Sequence, residues 1–268
     1  MKDDFGNRMK AYEAVTDMRL PGLTPVIVRV DGKCFHTLTK KLKKPFDPIF
    51  NEVMELTMLG LCERLPNVRF AYVQSDEISL VMLERNVHSE SWFGNRLQKI
   101  ASLTASYATK LFTYKLSSSL VRNGIMNEDN MEEWDDSEYV GLLDDAVFDC
   151  RAFPVPERDV CNYFIWRQQD CLRNAIQGAG QAYIGKKELH GMNSNEIIAS
   201  LKEKGYAFSD FSARERLGAA CYQVMTMVGT PQKGGIGFTN RKKYRIDANI
   251  PLFRENREFI EKHMELED

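Results

Sequence analysis

"VRFAYVQSDEISLVML" (Val68–Leu83) is the stretch that decides the fold. Two runs rich in β-branched and aromatic residues flank the polar Ser75-Asp76-Glu77, which reads as two strands joined by a tight turn, a β-hairpin. Upstream, Val26–Val30 is a short β-branched run bounded by Pro21, Gly22 and Pro25 before it and by Asp31-Gly32 after it, a strand with breakers at both ends. Between this strand and the hairpin, Asp47 stands as an N-cap with Pro48 at the first helical position. Phe50, Val53, Met54, Met58, Leu61 and Leu65 then recur at helical spacing. Downstream, a second helix is expected over Trp92–Ser117, and "AVFDCRAFPV" (Ala146–Val155) is a further strand. The order β-α-β-β-α-β is the ferredoxin-like pattern of an α+β protein, an antiparallel sheet with two helices on one face.

Beyond Pro156 the character turns helical. Helices are expected over Asp159–Ile184, Ser194–Lys204 and Ala213–Val228, before "GGIGFTNRKKYRI" closes the chain with a cation-rich strand or small hairpin. The division predicted is a mixed β-α part over residues 1–156 and a mainly helical part over 157–268 packed on it, with one continuous domain as the alternative.

The bulk composition narrows the class. At 268 residues and 43% hydrophobic, the chain can bury a core. "MKDDFGNRMK" has no apolar leader and no stretch approaches a membrane span, so the expected location is cytoplasmic, with no membrane partner. Six cysteines without a Cys-x-x-Cys pair read as free thiols, and four histidines without ligand spacing argue against zinc. The net charge of −2 hides an asymmetry. Asn127–Cys150 holds ten of the 38 acids and no Lys or Arg, so the remainder sets 28 acids against 36 bases, a net of +8. That remainder has the charge for a phosphate-binding face, although a solvated acidic loop beside an ordinary surface fits the counts equally well.

In a β-α-β-β-α-β sheet the end of the first strand lies beside the turn of the central hairpin, which brings Asp31 near Asp76 or Glu77. Carboxylates a few ångströms apart repel, and the pair is tolerated best with a cation between them. Hard oxygen donors without Cys or His favour Mg²⁺, and two such ions can hold a triphosphate for in-line displacement. Strand alternation separates Asp76 from Glu77, so Asp76 is the expected direct ligand with Asp31, and Glu77 the group that orients water or another ligand. A polar hairpin turn with no ligand explains the same three residues. Around them, "DGKCFHT" offers backbone N–H groups after Gly32, Ser75 a hydroxyl, and Lys43-Lys44 a loop able to fold over the same place. Arg96 and Lys99, at i,i+3, share a helix face.

Taken together, "RVDGKCFHTLT" (29–39), "KKPFD" (43–47), "AYVQSDEISLVM" (71–82) and "WRQQDCLRNAI" (166–176) closely resemble the tRNA-histidine guanylyltransferase superfamily, the 3′-to-5′ reverse polymerases. A weaker match runs on through "NSNEI" (193–197) and "RERLG" (214–218). The resemblance implies a polymerase-palm-type domain working with two Mg²⁺ ions on GTP or ATP and tRNA, in a protein that is typically a tetramer. It implies Asp31, the Gly32 carbonyl and Asp76 as metal ligands and Glu77 as essential. It further implies Asp31, Gly32, Lys33, Cys34, Phe35, His36, Lys44, Ser75, Arg96 and Lys99 as holders of the nucleotide. Where enzymes that add the extra guanylate to histidine tRNA carry His-Ile-Asn-Asn, this chain has Cys171-Leu172-Arg173-Asn174. It is in this more similar to the like-protein branch, associated with templated repair of truncated tRNA 5′ ends. Addition of the histidine-tRNA guanylate is the first alternative, and a nucleotidyl cyclase or a non-catalytic RNA-binding module are the others.

Trp166, Leu172 and Ile176 at helical spacing read as core more readily than as base-stacking groups. Arg167, Arg173 and Asn174 are the candidates for RNA contact on that helix, since guanidinium forks suit phosphates. Arg241, Lys242 and Lys243 form a basic run that suits RNA or an ordinary solvated hairpin.

Overall fold

The computed structural model describes residues 4–86, 91–126, 137–232 and 235–264. An N-terminal helix α1 (Asp4–Ala14) precedes the strands β1 (Val26–Gly32), β2 (Val68–Gln74), β3 (Glu77–Met82), β4 (Phe148–Pro154), β5 (Ala219–Gln232) and β6 (Gly235–Asp247). They form one antiparallel six-stranded sheet in the order β4-β1-β3-β2-β5-β6. The first four follow the β-α-β-β-α-β order, with helices α3 (Pro48–Arg64) and α4 (Leu97–Arg122) as the connections.

Alternation along the strands assigns two cores to two faces. Val26, Val28, Val30, Ile78 and Leu80 pack with Val53, Met54 and Phe112 of α3 and α4. On the opposite face Ile27, Val81, Phe70 and Tyr72 meet Val160 and Phe164 of α6 (Glu157–Tyr183) and Ile260 of α9 (Glu258–Met264). A register shift between Val68 and Phe70 sets which residues of β2 face which layer. The C-terminal half of α6 packs with α7 (Ser194–Glu203) in a third, smaller cluster.

Local chemistry explains the element ends. Asp47 caps α3 by accepting from the Phe50 amide at 2.8 Å, with Pro48 following it, and Tyr139 donates to the same carboxylate at 2.9 Å. The second connecting helix starts at Leu97, five residues later than the spacing predicts, because Phe93, Gly94 and Asn95 all take left-handed φ and break the run. The stretch Ala213–Val228 is not one helix. A single capped turn, α8 (Ala213–Leu217), ends at Gly218 with φ 82°, and the chain continues as β5. "AACYQVMTMV" is apolar enough on both periods that spacing does not separate helix from strand, and pairing with β2 decides it. The part after residue 156 therefore supplies two strands to the same sheet as well as helices. Of the acidic stretch, residues 127–136 lie outside the described residues, and Val140–Asp145 forms the short helix α5. All six cysteines are free thiols. Among the described residues no helix is long and apolar enough to cross a membrane.

His263 lies under this sheet, stacked on Tyr222 at 4.1 Å between ring centroids, with its Nε2 buried and unpartnered. Burial, with Lys262 adding, lowers its pKa from 6.5 to about 4. The folded protein resists the proton that the unfolded chain accepts, so stability present above pH 6.5 is lost as pH falls towards 4. His263→Phe keeps the stack and removes the site. Urea titrations across this range should show the wild type losing on the order of 2 kcal/mol more than the variant.

Candidate functional site

The hairpin is closed by the Gln74↔Glu77 pair, which leaves Ser75 and Asp76 as a two-residue loop with Ser75 at φ 47°. In the neighbouring register Asp31 lies opposite Glu77, and the Gly32 amide donates to the Asp76 carbonyl at 3.1 Å. Three carboxylates thus gather where β1 ends and the hairpin turns. Beside them α2 (Phe35–Leu38), entered through Cys34 at φ 58°, the Thr39–Asp47 loop and α6 enclose a cleft of about 350 Å³. Gly32, Cys34, His36, Lys44, Ser75, Asp76 and Asn174 all line it, with Cys171 in its wall.

Electrostatics in this corner are unfavourable to negative charge. Burial raises the pKa of Asp76, and the charge of Asp31 adds to the rise against the Ser75 hydroxyl and His36, which lower it. Burial likewise raises Glu77, opposed by Arg167 and then Arg29, with Asp31 adding again. Among the described residues no group of three or more His, Cys, Asp and Glu is arranged to hold a metal ion. The donors on offer are two carboxylates and the Gly32 carbonyl. This is a small oxygen-only set of the kind Mg²⁺ uses when water and phosphate complete its shell, and the mutual repulsion of Asp31 and Asp76 is what a divalent ion relieves.

Several expected contributors take different roles. The Lys33 amide is committed to the Val147 carbonyl at 2.9 Å, and the Gly32 amide to Asp76, so the open donors begin at Cys34. Phe35 is core: its ring packs on Phe50, Phe112 and Phe148 and fills the space over Gly32, where any Cβ would overlap it. Lys44 faces the cleft with its Nζ 2.7 Å from the Thr39 carbonyl, which shapes the loop around it.

Arg96 and Lys99 are not brought to the cleft within this chain. The connection after β3 leaves from the sheet end away from the turn, so the following helix starts there. Arg96 pairs with Asp17 at 3.1 Å, and the Lys99 ammonium sits 5.3 Å over the Phe93 ring.

On α6, Arg167 is only 5% exposed, bonded to Glu77 at 3.2 Å and to Asp170 at 2.6 Å, which removes it from the surface where RNA would lie. Trp166, expected in the core, is 48% exposed and stacks 3.9 Å over the Arg167 guanidinium. Arg173 is exposed and held by Asp170 at 2.7 Å. Arg241 and Lys243 are exposed and share one face of the β5–β6 ribbon with Arg245, while Lys242 is on the other face beside Met225. Sequence reasoning missed Asn51 and Glu215, which also line the cleft. Glu215 was signalled by its capping box with Ser212, but only the packing of α8 aims it here.

The family model described as tRNAHis guanylyltransferase matches residues 6–156. A solved structure, "Bacterial tRNA(HIS) Guanylyltransferase (Thg1)-Like Protein in complex with ATP", superposes with a TM-score of 0.79 and 32% identity, covering 98% of this chain and 100% of that one. A counterpart in complex with GTP has a TM-score of 0.76 and 31% identity over the same shares. A "Probable tRNA(His) guanylyltransferase" of Dictyostelium discoideum is 26% identical over 91% of this chain and 93% of its own.

Proposed function

The chain belongs to the tRNAHis guanylyltransferase family, and from that premise we propose that its work is magnesium-dependent, templated repair of 5′-truncated tRNA, by 3′-to-5′ nucleotide addition after NTP activation of the 5′ end. It is a nucleotidyltransferase by membership. The observation that carries the finer reading is that Cys171 and Asn174 of α6 line the cleft itself. The departure from His-Ile-Asn-Asn therefore stands where the incoming nucleotide would lie, and a change there bears on how that nucleotide is chosen. The high coverage of the bacterial like-protein structures supports the same branch.

In this reading Asp31, Asp76 and the Gly32 carbonyl would hold Mg²⁺, which supplies neutralisation of charge developing at the α-phosphate. The chain's own groups do the rest. Lys44, at the cleft wall, attracts the triphosphate, and the Ser75 hydroxyl steadies the Asp76 carboxylate beside it. The amides of Cys34, Phe35 and His36, at the start of α2, add donors, whereas that of Thr37 is taken by the Cys34 carbonyl at 2.9 Å. Asn174 presents an amide, donor and acceptor together, to whatever the cleft takes up.

Asp31→Ala and Asp76→Ala should each abolish incorporation of labelled nucleotide into a tRNA lacking its first 5′ nucleotide, with the circular dichroism spectrum kept. Near-normal turnover by either variant refutes the metal assignment. With G or C placed opposite the gap, the wild type should insert the complementary nucleotide, whereas guanylate insertion regardless of the template would indicate dedicated histidine-tRNA addition.

The same reading assigns the β5–β6 ribbon to RNA. Arg241, Lys243 and Arg245 alternate along one face at about 6.8 Å intervals, each opposite a neutral residue of β5. Arg241→Ala with Lys243→Ala should weaken tRNA binding and lower the slope of log K against log salt by about 1 to 2. An unchanged slope removes the ribbon from the interface. The family resemblance also implies a homotetramer, and light scattering should return a mass of four chains in solution.

A further inference from the structure

Arg167 is left without its expected task, since a buried guanidinium cannot reach a nucleic-acid backbone. Its surroundings give it another. Its side chain is 6% exposed and fits between Glu77 Oε2 at 3.2 Å and Asp170 Oδ2 at 2.6 Å, under the Trp166 ring at 3.9 Å. The other Glu77 oxygen, Oε1, is 3.4 Å from the Ser79 hydroxyl, which in turn shares a 2.8 Å hydrogen bond with Tyr163. Tyr163, Arg167 and Asp170 stand at i, i+4 and i+7 of α6, one stripe of the helix laid along β3. Both oxygens of Glu77 are thus restrained from the same stripe.

Stability is a weak reason for such an arrangement. Desolvating a guanidinium and a carboxylate is costly, and well-packed apolar residues of similar volume commonly do as well. What an ion pair gives that an apolar contact does not is a fixed direction for a charged carboxylate. Glu77 is the carboxylate whose Cα faces Asp31 across the strands and which follows Asp76 in the chain.

We propose that Arg167 is a positioning residue, setting the direction of the Glu77 carboxylate beside Asp31 and Asp76 and itself set by Asp170 and Trp166. The proposal rests on the reading of Asp31 and Asp76 as the centre of a nucleotidyltransferase. Arg167 touches neither nucleotide nor RNA in this account; it acts through Glu77.

Four proteins test it: the wild type, Arg167→Met, Arg167→Lys and Glu77→Gln, with the Glu77→Gln/Arg167→Met double variant closing the cycle. In single-turnover addition to truncated tRNA, Arg167→Met should lower the rate about 100-fold while the nucleotide KM stays within about 3-fold, and Arg167→Lys should recover at least about 10-fold of the loss. In the Glu77→Gln background, Arg167→Met should cost less than about 2-fold, because the two side chains act as a unit. A second readout needs no RNA or turnover. Mn²⁺ binding followed by electron paramagnetic resonance should tighten about 3-fold in Arg167→Met, where a cation beside the carboxylates is lost, and return to the wild-type value in Arg167→Lys.

A wild-type rate in Arg167→Met, multiplying losses in the double variant, or Mn²⁺ affinity that ignores Arg167 would each overturn the proposal. Should Arg167→Met fail to fold, Asp170→Asn takes its place: a rate lowered about 5-fold at constant KM supports the chain of contacts, and an unchanged rate ends it. A wild type that adds nothing to tRNA overturns the functional reading instead, and the Mn²⁺ comparison still decides the role of Arg167.

Discussion

The hydrogen bond from the Gly32 amide to the Asp76 carbonyl, at 3.1 Å, ties the end of one strand to the turn of the next hairpin. It extends the β1–β3 register by which Asp31 faces Glu77, and that register converts two separate stretches of chain into one acidic corner. Slipping it by a single residue would turn Asp31 to the other face of the sheet and Val30, now in the α3–α4 core, into its place. The core and the candidate site are therefore specified by the same pairing. The sheet cannot keep Val26, Val28 and Val30 under α3 and α4 without also delivering Asp31 to the hairpin.

Such a corner is costly to build, because burial and mutual repulsion both oppose ionisation of Asp76 and Glu77. The two carboxylates are relieved in different ways. Glu77 has an internal cation, Arg167, delivered by α6 from the far face. Asp76 has the Ser75 hydroxyl and the nearby His36, and its position at the cleft leaves it open to a ligand from outside. The corner thus holds one carboxylate paired with a buried guanidinium and one that borders the cleft.

Much of this is legible in the sequence. Asp47-Pro48 announced the start of α3, and Ser75-Asp76 between two β-branched runs announced the hairpin, because caps and turns are set by residues adjacent in the chain. Where the reading went astray, distant partners decided. Ala219–Val228 is apolar on both helical and strand periods, and it is the edge of β2 that makes it a strand. Trp166 carries a core-like side chain at a core-like spacing, yet its neighbour Arg167 occupies the interior and Trp166 lies over it as a lid. Arg96 and Lys99 share a helix face as expected, but the direction in which the chain leaves β3 sets that face at the opposite end of the sheet.

The order of elements, the hairpin, and the identity of Asp31, Gly32, Ser75 and Asp76 as neighbours were determined by the sequence by itself, since period, caps and breakers are local and the split βαβ topology leaves few ways to pair the strands. Only the tertiary structure decided which cations meet which acids. Arg167 and Arg173 are six residues apart on one helix, yet one is buried against Glu77 and the other faces solvent. Spacing along a helix says which residues share a face, but the sheet that covers that face, with the charges it carries, comes from residues some ninety positions away.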